Sequence, residues 1–334
     1  MILAGDIGAT HSRVAAFNSE GNKLPLVVEK IYESPEHTGL AEIVADFVRS
    51  EGIPVHSACF AVAGPVRHGK SKISNLPWTI DSRELAKQLK LQTVGLLNDL
   101  EAYAYGMDAL ESKDFVTLQE GGEDAEGNTA VISAGTGLGQ AGLVWDGFRH
   151  VPFASEGGHS DFAPHNEIEI ELLRYLLKKH GRVSYERVLS GPGVKNIYEF
   201  LRDTKRAEEP KWLEEQMQAA KDQPALISQL AHEHKAPICE QTLDLFVSVY
   251  GGEAGNCALK FMSTGGMFIG GSIAAKILPK MKEEVFLRAF REKGRMQSLL
   301  EEMPVKVVLN DDAGLLGAAR SALIDKAFGF AKRA

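Results

Sequence analysis

Apolar residues in the first hundred positions come mostly in short runs. Residues 2–4, 14–17 and 26–32 are strand-length runs. Leu40, Ile43, Val44, Phe47 and Val48 then make one helical stripe, which Thr38 opens and Gly52-Ile53-Pro54 stops. Residues 57–63 read as a buried strand. Asp81, with Glu84 three residues on, is capping-box-like and starts a helix to about Lys90. Residues 93–97 are a further strand, ending at Asn98-Asp99, and a helix to about Leu110 follows. The order βββαβ(β)αβα predicts an α/β fold, a mixed sheet with helices on its faces.

The pattern changes beyond a Gly- and acid-rich stretch at 119–128, which marks a boundary nearby. Residues 129–134 form a strand, 135–139 a Gly/Thr turn, 141–145 a second strand, and Asp146-Gly147 turns into 148–153. After Gly157-Gly158 the chain is mainly helical. In 239–261 the apolar positions Cys239, Leu243, Phe246, Tyr250, Ala254, Cys257 and Phe261 step by 4, 3, 4, 4, 3 and 4. Gly251, Gly252 and Gly255 weaken that helix and suit close approach of another backbone. A strand at 305–309 and a terminal helix at 312–328 complete the chain. One weak repeat emerges: Asp6-Ile7-Gly8-Ala9-Thr10 and Ala134-Gly135-Thr136-Gly137-Leu138-Gly139 are both strand, small-residue turn, strand. Two related lobes, each offering a turn to a shared cleft, are expected.

Composition narrows the function. The chain has 334 residues, 44% hydrophobic, which suits two domains or one split domain. Its 37 basic and 45 acidic residues leave a charge of −8, against a nucleic-acid surface. A phosphate ligand stays compatible, because backbone amides and a metal can hold it. The odd cysteine count (Cys59, Cys239, Cys257) fits no disulfide framework, and Cys239 and Cys257 fall on the packing stripe. The N-terminus does not read as a signal peptide, and no apolar stretch approaches the ~18 residues of a membrane span. A reducing, cytoplasmic setting without a membrane partner is expected.

Two strings mislead. Gly64-Pro65-Val66-Arg67-His68-Gly69-Lys70-Ser71 matches the phosphate-binding pattern G-x-x-x-x-G-K-[ST], yet 71–76 is short and β-like where that motif needs a helix. A hairpin turn is the better reading. Gly137-Leu138-Gly139-Gln140-Ala141-Gly142 matches the dinucleotide pattern, but a strand follows it, not a helix.

Chemistry has better places. Small residues in the two Gly/Thr turns let amides converge on an anion. Asp6 beside the first turn makes sense near phosphates only if a cation such as Mg²⁺ lies between, reached through water. Asp99, at a strand end opening a helix, is either a helix cap or a general base taking a proton from a hydroxyl. Glu156 and His159 flank Gly157-Gly158 and suit polyol hydrogen bonds. Gly265-Gly266-Met267-Phe268-Ile269-Gly270-Gly271 sets a short strand between Gly pairs, for an adenine ring or for close helix–strand packing. His232 and His234 sit on a polar helix face, and 280–284 is a surface charge run.

With these blocks in order, the chain resembles the bacterial ATP-dependent glucokinases, of the hexokinase branch of the actin-like ATPase superfamily. The resemblance rests on the 5–10 and 134–139 turns and on Leu97-Asn98-Asp99-Leu100-Glu101-Ala102. It continues through Glu156-Gly157-Gly158-His159-Ser160-Asp161-Phe162-Ala163-Pro164, Glu186-Arg187-Val188-Leu189-Ser190-Gly191-Pro192-Gly193 and the 265–271 block. It implies a two-lobed actin-like ATPase (RNase H-like) fold. The lobes would be 1–110 plus 312–334, small, and 111–311, larger and helix-rich, with the active site in the cleft.

The resemblance also implies roles by position. Gly5, Asp6, Ile7, Gly8, Ala9 and Thr10 would face ATP and Mg²⁺. Gly135, Thr136, Gly137 and Gly139 would form the second phosphate turn, and Gly265, Gly266 and Gly270 the adenosine side. Asn98, Asp99, Glu156, His159 and Glu186 match glucose-binding positions, with Asp99 as the base. The expected reaction is phosphorylation of glucose at its 6-hydroxyl by ATP. A homodimer rests on the resemblance alone. The first turn departs from the usual Gly-Gly-Thr-Asn, reading Gly8-Ala9-Thr10-His11. Ala9 fits at negative φ and is strained at positive φ. The alternatives are a kinase for another hexose or donor, a non-catalytic sensor of the same fold, and an ATPase using Lys70.

Overall fold

The computed structural model describes residues 1–20, 23–73 and 76–328. The end of the expected 312–334 segment, 329–334, lies outside the described residues, as do Ser74 and Asn75 of the β-like stretch 71–76. The chain forms two compact units. One comprises 1–112, 150–154 and the chain from 310; the other comprises 113–149 and 155–309.

In the first unit, strands β1 (Ile2–Ile7), β2 (His11–Phe17), β3 (Leu26–Glu33) and β4 (Ser57–Val62) share a sheet with β8 (Gly95–Asn98). Its order is β3-β2-β1-β4-β8. The β1–β4 and β4–β8 pairs are parallel; β1–β2 and β2–β3 are antiparallel. Alternation along β1 sends Leu3 and Ile7 to one face, with Phe47 of the helix Leu40–Glu51. Ile2 and Ala4 go to the other, with Ala102 and Ala318. That second face is packed by the helices Asp99–Gly106 and Ala313–Phe328, which touch through backbone. A Cβ on Gly106 would collide with the Ala313 carbonyl oxygen, and one on Gly317 with that of Ala102.

Strands β5 (Val66–Arg67), β6 (Lys70–Lys72) and β7 (Thr79–Asp81) make a small antiparallel sheet. The phosphate-like string is therefore a hairpin. His68 and Gly69 turn it at φ 51° and 71°, and Lys70 pairs with Asp81 at 2.8 Å. Asp81 caps the helix Ser82–Leu89 through the Arg83 amide.

In the second unit, β9 (Phe115–Gln119), β10 (Thr129–Ala134) and β11 (Leu138–Trp145) come first; β12 (His150–Ser155), whose residues 150–154 belong to the first unit, then leads to Glu156. Later come β13 (Gly266–Gly270) and β14 (Val305–Val308). The sheet of this unit runs β11-β10-β13-β14-β9. The β10–β11 pair is antiparallel, and β10–β13 and β13–β14 are parallel. This repeats β2-β1-β4-β8 of the first unit in order and sense, so the weak sequence repeat reflects a real duplication of topology.

The helix Pro237–Phe261 runs through the core of the second unit. Cβ atoms on Gly251 and Gly255 would collide with the carbonyl oxygens of Phe286 and Phe290, so two of its three glycines serve backbone contact with the helix Glu284–Arg291. Gly252 instead faces the His165 ring, 3.7 Å from an added Cβ. Cys59, Cys239 and Cys257 are buried thiols outside any disulfide, and burial pushes the Cys239 thiol up to about 12. They are packing residues.

Two expectations fail. His234 lies past the helix Gln223–His232, at φ 52°, and pairs with Glu240 at 2.7 Å. The 280–284 run fails only at its start: Lys282, Glu283 and Glu284 are exposed as expected, while the Lys280 side chain is 17% exposed and pairs with Asp244 and Glu283 at 2.6 and 2.9 Å. Among the described residues no helix is long and apolar enough to cross a membrane.

Candidate active-site residues in the two units

In the first unit, parallel pairing puts the C-terminal ends of β1, β4 and β8 in line. Ile7 lies beside Val62, and Val62 beside Asn98. The 8–11 turn and Asn98-Asp99 therefore open along one end of the sheet, the usual ligand end of an α/β sheet. The turn is braced from behind. Gly8 N–H donates to the His11 carbonyl at 3.0 Å, Ser34 Oγ to the Gly8 carbonyl at 2.8 Å, and Ser34 N–H to the Thr10 carbonyl at 2.9 Å. Ala9 is absent from the positive-φ residues, so its side chain causes no backbone strain. His11 contacts Glu33 at 3.2 Å.

Asp6 sits one residue before the turn, opposite Arg13. Arg13 gives its hydrogen bonds elsewhere, to Glu29 at 2.7 Å and Asp312 at 2.6 Å. Among the described residues no hydrogen bond or ion pair reaches the Asp6 carboxylate. Burial pushes its pKa above the usual aspartate value, and the Arg13 charge pulls the other way. A Cβ on Gly314, in the first turn of the terminal helix, would stand 3.7 Å from Asp6 Oδ2. A desolvated carboxylate with no direct partner is what a cation would satisfy. No cluster of three or more His, Cys, Asp or Glu residues able to hold a metal occurs among the described residues. Such a cation would need oxygen ligands from phosphate and water as well.

Asn98 settles the capping question. Its Oδ1 accepts from Leu100 N–H at 3.0 Å, making it the N-cap of Asp99–Gly106, while its Nδ2 donates to the Gly64 carbonyl at 3.2 Å. Asp99 is thus the first helical residue and not the cap. Its Oδ1 also accepts from Leu100 N–H, at 2.9 Å. Both side chains are half-buried.

In the second unit, three of the expected residues meet. His159 Nε2 lies 3.9 Å from Glu156 Oε2, and its Nδ1 lies 3.8 Å from Glu186 Oε1. Backbone pairing arranges this: Tyr185 N–H donates to the Ser160 carbonyl and Phe162 N–H to that of Val183, both at 3.0 Å. Arg182 adds a 2.7 Å bond to the His159 carbonyl while pairing with Asp161. Glu156 and His159 are well exposed.

The second turn abuts this group. Glu186 Oε2 accepts from Leu138 N–H at 3.2 Å and would lie 2.6 Å from a Cβ on Gly137. The turn itself is shorter than expected, since Leu138 and Gly139 already belong to β11. Gly135 N–H donates to the Gly137 carbonyl, and Gly191 N–H to that of Gly135, both at 2.9 Å. The helix Gly191–Asp203 thus starts at the turn, and Ser272, in the first turn of the helix Gly271–Lys276, is its neighbour on the other side. The start of the helix Gly191–Asp203 favours an anion at this turn. Thr136 is exposed there.

The glycine block splits. Gly270 pairs with Ser133 at the turn end of the sheet, whereas Gly266 pairs with Thr129 at the opposite end, about 13 Å away at four strand steps. A Cβ on Gly265 would meet the Gly127 carbonyl at 2.6 Å. Gly265 and Gly266 thus pack against protein, and only Gly270 is brought to the turn. Sequence reading overlooked Gln140, Tyr185 and Glu253, which underlie the Glu156–His159–Glu186 group. One signal existed: Glu253 is three residues from Tyr250 and four from Cys257, on the apolar stripe.

Comparison with known proteins agrees across the chain. The glucokinase family model matches residues 3–324. A glucokinase of Trichormus variabilis is 45% identical, with 96% of this chain and 98% of that protein covered. One from Synechocystis is 42% identical over 95% and 96%. Among solved structures, a glucokinase from an Antarctic psychrotroph superposes with a TM-score of 0.84 at 31% identity, covering 97% and 98%. A Streptomyces griseus ROK-family glucokinase, solved with glucose and AMPPNP, shares the fold at a TM-score of 0.64, 20% identity and 97% and 99% coverage.

Proposed function

This chain belongs to the glucokinase family, and we propose that it transfers the γ-phosphoryl group of ATP to the 6-hydroxyl of glucose, giving ADP and glucose 6-phosphate. Its fold is that of the actin-like ATPase superfamily. The observation that carries the proposal is the meeting of Glu156, His159 and Glu186 directly beside the Gly135–Gly137 turn. A hydroxyl-binding group next to an anion-binding turn is what phosphoryl transfer to a sugar needs.

Asp99 would accept the proton of the 6-hydroxyl as that oxygen bonds to the γ-phosphorus and the bond to the ADP oxygen breaks. A carboxylate can do this without a large shift in pKa, because the hydroxyl grows acidic only as the new bond forms. Asn98, Glu156, His159 and Glu186 would hold the remaining hydroxyls. A sugar lacking the hydroxyl held by Asn98 or Glu186 leaves a half-buried partner unpaired, at about 1–3 kcal/mol. With the Gly8 and Gly135 amides bonded within their turns, those of Ala9, Thr10, Thr136 and Gly137 would bind phosphate oxygens, and Gly270 would flank the nucleoside side. Asp6 fits a Mg²⁺ held through water, which would neutralise charge on the phosphates. Catalysis is then positioning and electrostatics, with little covalent work for the protein.

A coupled assay of ADP release tests this, with glucose, mannose, fructose and N-acetylglucosamine as acceptors and a sugar-free control. Glucose should give the highest kcat/KM and the control almost none. Sugar-independent ADP release that Lys70→Ala abolishes would overturn the proposal.

A further inference from the structure

Glu253 is fully buried within the helix Pro237–Phe261, where a charge is costly unless something holds it. Both carboxylate oxygens are engaged. Oε1 accepts from Gln140 Nε2 at 2.8 Å, and Oε2 from Asn256 Nδ2 at 2.9 Å. The Asn256 amide is oriented by Lys293 Nζ, which donates to its Oδ1 at 2.9 Å and to the Gly252 carbonyl at 2.8 Å. The same Asn256 Nδ2 donates to the Tyr185 hydroxyl at 3.1 Å, and that hydroxyl also interacts with Glu253. The cluster borders a cavity of about 240 Å³.

Glu253 also meets Cys257 Sγ at 3.7 Å and Lys260 Nζ at 3.8 Å on its own helix, and its two amide arms lead to the segments proposed to bind sugar. Gln140 lies directly under Gly157: a Cβ there would collide with Gln140 Oε1. Gly157 opens the short helix Gly157–His159, with Glu156 just before it and His159 at its end. Tyr185 is buried against Phe162, edge to face at 5.6 Å, and is covalently next to Glu186. One buried carboxylate therefore ties down both segments whose side chains meet at His159.

We propose that Glu253 is a positioning residue for the sugar acceptor, fixing Glu156 and His159 relative to Glu186 through Gln140 on one side and Asn256 with Tyr185 on the other. This rests on Glu156, His159 and Glu186 being glucose ligands. The acid is needed because it accepts on both sides. An amide would present a donor to either Gln140 Nε2 or Asn256 Nδ2, and one arm would break.

The test is Glu253→Gln, with glucose binding measured by calorimetry without nucleotide, alongside steady-state kinetics and thermal melting. The glucose Kd should weaken about tenfold, as for loss of a hydrogen bond to a charged group. The KM for ATP should stay within about twofold and kcat within about threefold, the pattern of lost uniform binding. Tyr185→Phe removes one hydroxyl and keeps the ring, so it serves if Glu253→Gln does not fold; its glucose Kd should weaken about threefold. Unchanged glucose affinity in a folded Glu253→Gln, or in Tyr185→Phe when the first is unfolded, overturns the proposal. So does a loss shared equally by glucose and ATP that tracks a lower melting temperature, which marks a purely structural role. Wild-type protein that binds no glucose refutes the functional reading itself, and that failure shows before any variant is compared.

Discussion

The turns at 8–11 and 135–137 grow from the same strand arrangement yet carry different chemistry. In each, the strand before the turn pairs antiparallel with the strand after it and parallel with the next strand across. The closing pairs are Ile7 with Ser12 and Ala134 with Leu138. One residue before the closing pair stands Asp6 in the first unit and Ser133 in the second. The first turn therefore faces a desolvated acid without a direct partner. The second has no acid of its own and borrows Glu186 from a distant segment. Duplication supplied two backbone cradles. On the proposed function, side chains would then divide the work, Asp6 and Asp99 of the first unit serving transfer and Glu156, His159 and Glu186 of the second holding most of the acceptor.

If that division is right, substitutions in the two units should fail in different kinetic constants. The largest effect is expected for Asp99→Asn. Its kcat should fall by roughly 10²–10⁴, the usual worth of a general base, while glucose KM stays within a few-fold. Turnover near wild type would remove Asp99 from the chemistry.

Asp6→Asn comes next, with kcat down roughly 10²-fold by analogy with losing one preorganised charge contact to the reacting groups. The same variant should be more stable than wild type without ligand, because it removes a charge that burial disfavours. The sign follows from linkage: the folded pKa is raised, so the native state binds more protons than the unfolded state as pH climbs past the ordinary aspartate range. Stability associated with Asp6 is full below that range and lost as pH rises through the folded pKa. Melting temperature against pH should therefore fall less for Asp6→Asn than for wild type above about pH 4. Equal slopes would mean that Asp6 is not desolvated.

The smallest effects sharpen the contrast most, because the substitution is the same in both turns. Gly137→Ala puts a methyl 2.6 Å from Glu186 Oε2, the far end of a flexible side chain that can swing aside by giving up its bond from Leu138 N–H. Glucose KM should rise about tenfold with little change in melting temperature. Gly8→Ala puts its methyl 2.9 Å from the His11 carbonyl oxygen, which is backbone. Stability should drop by about 1–2 kcal/mol and the KM for ATP should rise about threefold, with glucose KM unchanged. A glucose-specific defect from Gly8→Ala would break the proposed division.

Much of the architecture was legible because it is written in local pattern. The Leu40, Ile43, Val44 and Phe47 stripe became the buried face of Leu40–Glu51. The phosphate-like string betrayed itself as a hairpin because no helix could follow it. The missing parts are those where partners come from far along the chain. Nothing near Lys280 in sequence announces Asp244, and nothing near Glu253 announces Gln140, 113 residues away. The 265–271 block was misleading for the opposite reason. Its glycines look alike in sequence, yet a strand carries its two ends about 13 Å apart, and only one end reaches the turn.

The sequence by itself determined the α/β order, the two small-residue turns and the types of residue able to do the chemistry. These depend on side-chain period, on glycine's freedom and on carboxylate chemistry, all of them properties of neighbours in the chain. Only the tertiary structure decided that Asn98 caps its helix and Asp99 does not, that Arg13 leaves Asp6 unbonded, and that His159 lies between Glu156 and Glu186. The Asn98 cap is a local choice, but the other two outcomes turn on contacts of a few ångströms with distant segments: Arg13 with Asp312, 299 residues away, at 2.6 Å, and His159 with Glu186 at 3.8 Å. Hydrogen bonds and desolvation act over those few ångströms of space, and separation along the chain does not enter.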